Sequence, residues 1–172
     1  RKKIEVRLPA ARAFIAAADL NEVREGERDD LGLIVQGGLT NTLVRALQQF
    51  GLADAFGVSK IPMLVLNVVY PLLPDQIIAF CAGKRSVLVV EEGQPDFIEQ
   101  EIAATLRRAG VDAPLHGKGF LPMAGEYTAE VMLAGLARWL DAHGDEPPAS
   151  LAPSQPGSEA GANALTAPAH EL

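Results

Sequence analysis

The chain has 172 residues, a formal net charge of −7 at pH 7, and 48% hydrophobic residues. This length fits one domain with extra segments, and the apolar fraction is sufficient for a core. The negative charge argues against nucleic acid or an anionic membrane as a partner, and no apolar run approaches the roughly 20 residues that span a bilayer. The single cysteine, Cys81, excludes an internal disulfide and cannot alone hold structural zinc or an iron–sulfur cluster.

The N-terminal part, residues 1–29, is predicted to be a helical linker segment. Pro9 suits a first helical turn, Gly26 ends the pattern, and a modest apolar stripe runs through Phe14, Ile15, Ala18 and Val23. The chain opens on Arg-Lys-Lys rather than Met, and we expect it to be a piece of a longer polypeptide. It shows no secretory signal, which predicts a cytoplasmic protein.

Residues 30–143 alternate between apolar runs and amphipathic segments. The predicted strands are Leu31–Gln36, Met63–Val69, Ser86–Val90 and a weak fourth at Ala113–Gly117. The predicted helices are Asn41–Phe50, Asp75–Cys81, Asp96–Ala109 with Phe97 on its apolar face, and Glu126–His143. This alternation predicts an α/β domain with a three-layer α/β/α architecture around a mostly parallel sheet.

Residues 144–172 differ sharply in composition from the rest. They are mostly Ala, Pro, Ser and Gly, with no aromatic residue and no Lys or Arg. Such a segment cannot bury enough apolar surface to offset the entropy of ordering it. We therefore expect a disordered linker or tail.

A glycine-rich turn follows the first predicted strand. Gly37, Gly38 and Thr40 stand where the backbone amides of a helix N-terminus could meet a phosphate. The stretch lacks both the G-x-G-x-x-G and the Walker lysine patterns. The alternative is a glycine turn in which Thr40 caps the next helix.

Two carboxylates, Glu91 and Glu92, end the strand Ser86–Val90. The carboxyl ends of strands are where open α/β sheets bind ligands, so one of the two could act in acid–base chemistry or hold a cation. Neighbours on a strand point to opposite faces, which argues against both converging on one atom. In the alternative reading, a carboxylate simply lies near the N-terminus of the following helix.

The remaining reactive side chains give weak signals. His116 could titrate near neutral pH and Lys118 could meet an anion, but a lone histidine and a lone lysine are more often surface residues. Cys81 lies in an apolar helix and is predicted to be buried in the core. No Ser-His-Asp arrangement with nucleophile-elbow spacing is present. From its residues alone, the chain is predicted to be a non-catalytic α/β domain.

Several motifs, taken in order, resemble the thiamine-dependent 2-oxoacid:ferredoxin oxidoreductases, and more specifically the indolepyruvate ferredoxin oxidoreductase family. The similar stretches are Asp30–Gly38, Val69–Pro74, Val89–Gly93, Pro95–Glu101 and Leu115–Gly119. The resemblance covers roughly residues 30–125. It implies a transketolase C-terminal-like domain from a large, oligomeric enzyme.

The resemblance also implies a parent activity. Enzymes of this family decarboxylate aryl pyruvates on thiamine diphosphate with Mg²⁺, pass electrons through [4Fe-4S] clusters to ferredoxin, and transfer the acyl group to coenzyme A. The family motifs that bind these cofactors have no counterpart here, so no catalytic, cofactor or metal residue is carried over. The fragment is expected to be inactive alone and to contact other domains of the parent through Gly37, Gly38, Thr40, Glu91, Glu92 and Lys118.

Two other interpretations remain open at this stage. The strand–helix alternation and the acids at the strand end also suit a free-standing flavodoxin-like module that binds a small ligand or regulates a partner. A weaker alternative is a flavin or nucleotide electron carrier.

Overall fold

The computed structural model describes residues 1–144, so nearly all of the predicted tail lies outside the described residues. These residues form a five-stranded sheet in the order β1-β3-β2-β4-β5. The strands are β1 Glu22–Arg24, β2 Leu31–Gln36, β3 Met63–Leu66, β4 Ser86–Val90 and β5 Leu115–His116. Strands β2 to β5 run parallel, and β1 pairs antiparallel with β3 at one edge.

Helices cover both faces of the sheet. The helices are α1 Leu8–Ala17 after a π-helical turn at Lys3–Arg7, α2 Thr40–Gln49 after a 3₁₀ turn at Gly37–Leu39, α3 Pro74–Cys81, α4 Phe97–Ala109 and α5 Ala129–Ala142. Helices α2 and α5 pack on one face, and α3 and α4 pack on the other. This arrangement confirms the predicted three-layer, mostly parallel α/β architecture. None of the helices within residues 1–144 is long and apolar enough to cross a bilayer.

The central strand β2 shows why a continuous run of apolar residues predicted a buried strand correctly. Leu33 and Val35 face the layer of α2 and α5, whereas Ile34 faces α3 and α4. All three are fully buried because neither face of the sheet meets water. The buried Trp139 of α5 donates its indole N–H to the Ser86 hydroxyl at 2.9 Å, which links this helix to β4.

The N-terminal segment differs from its prediction. Helix α1 ends at Ala17 because Asp19 adopts a left-handed conformation with φ of 46°. The chain then turns, and Val23, predicted on the helical stripe, lies in strand β1 instead. The sheet therefore extends into the segment that the sequence assigned to a helical linker.

Three further details of the prediction are wrong. Strand β3 ends at Leu66, because the Val68 N–H leaves the sheet and donates to the Asn21 side chain at 2.9 Å. Helix α2 begins at Thr40 itself, so this side chain is not the predicted cap. Phe97, predicted on the apolar face of α4, is 68% exposed at the first position of the helix, whereas Ile98, Ile102 and Leu106 are buried.

Candidate functional site

A crevice lies at the carboxyl ends of β2 and β4. These strands are neighbours, but α2 and α4, which follow them, pack on opposite faces of the sheet. Loops that diverge in this way leave a gap, which is the usual ligand position in open α/β sheets. Here it is a cavity of about 800 Å³, and residues on its wall include Gln36, Tyr70, Glu92, Phe97 and Arg108.

Glu91 does not point freely into this crevice. Its side chain is 5% exposed, and its carboxylate accepts the Ile98 N–H at 3.0 and 3.1 Å and the Glu99 N–H at 3.1 Å. These N–H groups belong to the first turn of α4 and have no acceptor within the helix itself. The helix dipole also favours a negative charge at this position. The structure thus supports the alternative reading, in which the carboxylate lies at the N-terminus of the next helix.

Glu92 lies on the other side of the strand end. Its carboxylate accepts the Tyr127 N–H, and its own N–H donates to the Gln36 side-chain oxygen at 2.7 Å. The two acids therefore serve different loops and do not converge, as strand geometry predicts. The Gln36 contact links the ends of β2 and β4 across the crevice.

Lys118 joins the loops that surround these acids. Its ammonium donates to the carbonyls of Glu91 at 2.5 Å and Gly93 at 2.9 Å and to the Tyr127 hydroxyl at 2.8 Å. Its backbone N–H donates to the Glu99 carboxylate at 3.0 Å. Burial lowers the pKa of Lys118, and the nearby carboxylates, Glu91 foremost, oppose this effect. The predicted surface lysine is in fact a partly buried cross-link.

Tyr127 completes this network, although the sequence analysis did not single it out. Its hydroxyl donates to the Pro122 carbonyl at 2.6 Å, and the Lys118 ammonium lies 4.9 Å from the centre of its ring. Burial, with the neighbouring Glu91 carboxylate, raises the pKa of Tyr127 to about 12. The phenol therefore stays neutral at physiological pH and acts as a hydrogen-bonding bridge.

The glycine turn holds the other three candidates. A Cβ at Gly37 would lie 2.5 Å from the Asn67 side-chain oxygen, so a close approach of two loops accounts for this glycine. Gly38 is exposed and has open space around it. Thr40 is buried, and its hydroxyl has no hydrogen-bond partner within residues 1–144.

Two aromatic residues of the crevice were not among the predicted site residues. Tyr70 and Phe97 are both largely exposed and line the same cavity. Pro71 places Tyr70 beside irregular chain, whereas Phe97 is the first residue of α4 and its sequence carries no signal of exposure.

Within residues 1–144, the groups present do not fit a metal ion or an iron–sulfur cluster. No group of three or more His, Cys, Asp or Glu in the described part of the chain could hold a metal ion, and the strand-end carboxylates are already engaged by backbone N–H groups. Cys81 is buried as predicted, and burial raises the pKa of its thiol to about 11, which leaves it unreactive.

Comparison with known proteins identifies relatives of this chain, although no protein-family model matches it. It is 32% identical over 135 residues to indolepyruvate oxidoreductase subunit IorA of Methanothermobacter marburgensis, covering 77% of this chain. The IorA subunit of Methanothermobacter thermautotrophicus is 32% identical over 134 residues, and that of Thermococcus kodakarensis 27% over 116 residues. The chain is homologous to a segment of IorA. It spans about a fifth of the length of the first two relatives, 21% and 20%.

A solved structure agrees on the fold. A chain described as a split gene transketolase, an inactive beta4 tetramer, superposes with a TM-score of 0.50 at 18% identity, covering 70% of this chain and 41% of that one. At this identity the likeness concerns the fold alone. It confirms the transketolase-like architecture that the motifs of this IorA-related segment implied.

Proposed function

We propose that this chain is the transketolase C-terminal-like domain of an indolepyruvate oxidoreductase, and that it contributes assembly rather than catalysis. The observation that carries the proposal is the 32% identity with IorA over 77% of the chain. The parent enzyme would oxidatively decarboxylate aryl pyruvates to aryl-acetyl-CoA and reduce ferredoxin.

The state of the strand-end residues supports a non-catalytic role. A general acid or base must offer a free proton site to a substrate. The Glu91 carboxylate accepts hydrogen bonds from the first turn of α4, and the Glu92 carboxylate accepts the Tyr127 N–H. The Lys118 ammonium donates to the carbonyls of Glu91 and Gly93 and to the Tyr127 hydroxyl. Each side chain already has protein partners, so the local chemistry favours a rigid loop framework.

The crevice supports a contact with a neighbouring domain of the parent. Tyr70 and Phe97 expose aromatic surface beside the hydrogen-bonded loops, and aromatic side chains are enriched in protein interfaces. Of the six interface residues expected from the sequence, Glu91 and Thr40 are too buried to meet a partner directly. Their role would be to hold the loops, while Gly38, Tyr70 and Phe97 offer the contact surface.

Thiamine diphosphate, Mg²⁺ and the [4Fe-4S] clusters would then be bound by other parts of the parent. Coenzyme A and ferredoxin would likewise meet the parent rather than this domain. The chemistry of the described residues is consistent with this division, because Cys81 is enclosed in the core and both oxygens of Glu91 accept backbone N–H groups of α4.

Calorimetric titration of thiamine diphosphate with Mg²⁺ into the purified chain tests the proposal. We expect no heat of binding from the chain and clear binding by the full-length protein that contains it. Micromolar affinity of the chain itself would refute a purely structural role. Absence of binding by the full-length protein would refute the assignment of the parent.

A further inference from the structure

A cavity of about 260 Å³ lies between the edge strand β1 and helix α3, at the opposite end of β2 from the crevice. Its wall combines one ammonium group, from Lys84, with two carboxylates, from Glu25 and Asp29. Apolar side chains, among them those of Val23 and Phe80, form the rest of the surface. None of these residues belongs to the hydrogen-bonded network at the strand ends, so the cavity needs an explanation of its own.

Lys84 is the unusual residue of this wall. It is only 9% exposed, and a lysine is rarely buried to this extent unless its charge is paired. Its ammonium donates to the Asp29 carbonyl at 3.1 Å and lies 5.1 Å from the centre of the Phe80 ring. No carboxylate among residues 1–144 forms an ion pair with it. Because a lysine ammonium has three N–H donors, two of them remain for a ligand.

A glycine in the central strand makes room for this lysine. A Cβ at Gly32, near the start of β2, would lie 2.7 Å from Cδ of Lys84 and 3.1 Å from the Phe80 ring. Glycine inside a strand gives up packing surface and often marks a point of close approach. The buried position of the Lys84 stem therefore depends on the sequence of the core and not only on the conformation of a surface side chain.

The charges of the wall determine which ligand fits. The two carboxylates of Glu25 and Asp29 disfavour a simple anion, and the Lys84 ammonium disfavours a simple cation. A molecule whose carboxylate and ammonium groups share one carbon atom can pair with both signs at once, and an α-amino acid has this pattern. A volume of about 260 Å³ suits a small member of this class, and Val23 and Phe80 suit an apolar side chain.

We propose that this cavity binds a small, apolar α-amino acid. The carboxylate of the ligand would accept the two remaining N–H groups of Lys84, and its ammonium would pair with Glu25 or Asp29. Its side chain would lie against Phe80 and cover Val23, which is 48% exposed in the chain. This site goes beyond the proposed function and does not depend on it, because it uses none of the crevice residues.

Calorimetric titration of L-valine into the full 172-residue chain tests the proposal. Isovalerate, which lacks the amine, and isobutylamine, which lacks the carboxylate, are the matched compounds. We expect L-valine to bind at least about tenfold more tightly than either compound, because only L-valine pairs with both signs of charge. No binding of L-valine at millimolar concentrations, or equal affinity for either matched compound, would overturn the proposal.

Lys84→Met tests the contact with the carboxylate of the ligand. The variant keeps an unbranched apolar stem but has no ammonium, so we expect the affinity for L-valine to fall about tenfold or more. Lys60→Met is the matched control, since it removes an exposed ammonium outside the cavity and should leave the affinity unchanged. Urea unfolding checks that both variants are folded. Wild-type affinity in Lys84→Met would contradict the assigned contact.

Glu25→Gln with Asp29→Asn tests the contact with the ammonium of the ligand, at two exposed positions where the fold is not at risk. We expect the affinity for L-valine to fall about tenfold and that for isovalerate to rise, because the carboxylates no longer repel an anion. The matched control, Glu130→Gln with Asp141→Asn on α5, removes the same two charges and should change neither affinity. Unchanged binding of L-valine by the double variant of the cavity would disprove the proposed pairing.

Discussion

At the residue scale, the strand-end acids show how a candidate catalytic group can have a structural role. A sequence can place Glu91 and Glu92 at a sheet edge, because the apolar run ends there. It cannot show that the first turn of α4 lies within hydrogen-bond distance of Glu91, because this contact depends on the path of residues 93–96. Tyr127 was missed for the same reason: it lies 35 residues from the carboxylate that it meets.

Glu91 provides the first prediction. We expect Glu91→Ala to lower the free energy of unfolding by about 1–3 kcal/mol, because the Ile98 and Glu99 amides would lose their buried partner. Urea unfolding followed by circular dichroism measures the change. Glu126→Ala, which removes an exposed carboxylate, should have little effect. Equal stability of the two variants would show that the carboxylate does not cap α4.

His116 predicts a pH dependence of stability. Its ring lies 5.1 Å from that of His143, and burial, reinforced by His143, lowers its pKa below 6.5. The folded state thus binds fewer protons than the unfolded state just below pH 6.5. This contribution is present above pH 6.5 and is lost as the pH falls from 6.5 through the lowered pKa of the folded state.

The measurement is the urea midpoint of the wild-type chain and of His116→Phe, each at neutral and at mildly acidic pH. The phenyl ring keeps an aromatic side chain beside Phe120 but cannot bind a proton. We expect the variant to lose less stability on acidification than the wild type. An equal loss in both proteins would show that His116 does not contribute.

At the element scale, burial on both faces decided which strands could be predicted. Strands β2 and β4 are continuous apolar runs because helices cover both sides of them, so their sequences identify them. Strand β1 is three residues long, carries Glu22 and Arg24, and lies at the edge, so its sequence has no comparable signal. Only its pairing with β3 makes it a strand.

Gly26 tests how this edge is fixed. A Cβ at this position would lie 2.6–2.7 Å from backbone atoms of Lys60, Ile61 and Pro62. Because backbone cannot easily give way, we expect Gly26→Ala to lower the free energy of unfolding by about 2 kcal/mol or more. Gly38→Ala is the matched control, since its Cβ would meet open space. If the two variants were equally stable in urea, the close packing of residues 60–62 against this glycine would be disproved.

At the scale of the whole molecule, the order of the motifs was more informative than any single residue. The alternation of elements predicted the three-layer architecture, and the ordered motifs implied the family to which the IorA relatives belong. The carboxyl edge of β2 and β4 was also predictable. The exposed aromatics of the crevice were not, because exposure depends on how the loops fold over the helix ends.

The most direct test of the central claim is aryl pyruvate oxidation by the 172-residue chain and by the full-length protein that contains it. Indolepyruvate, coenzyme A, thiamine diphosphate and Mg²⁺ are supplied, and reduction of an electron-accepting dye is followed. We predict dye reduction by the full-length protein, assembled with any partner subunit, and none by the chain alone. Turnover by the isolated chain, or no turnover by the assembled protein, would contradict the account.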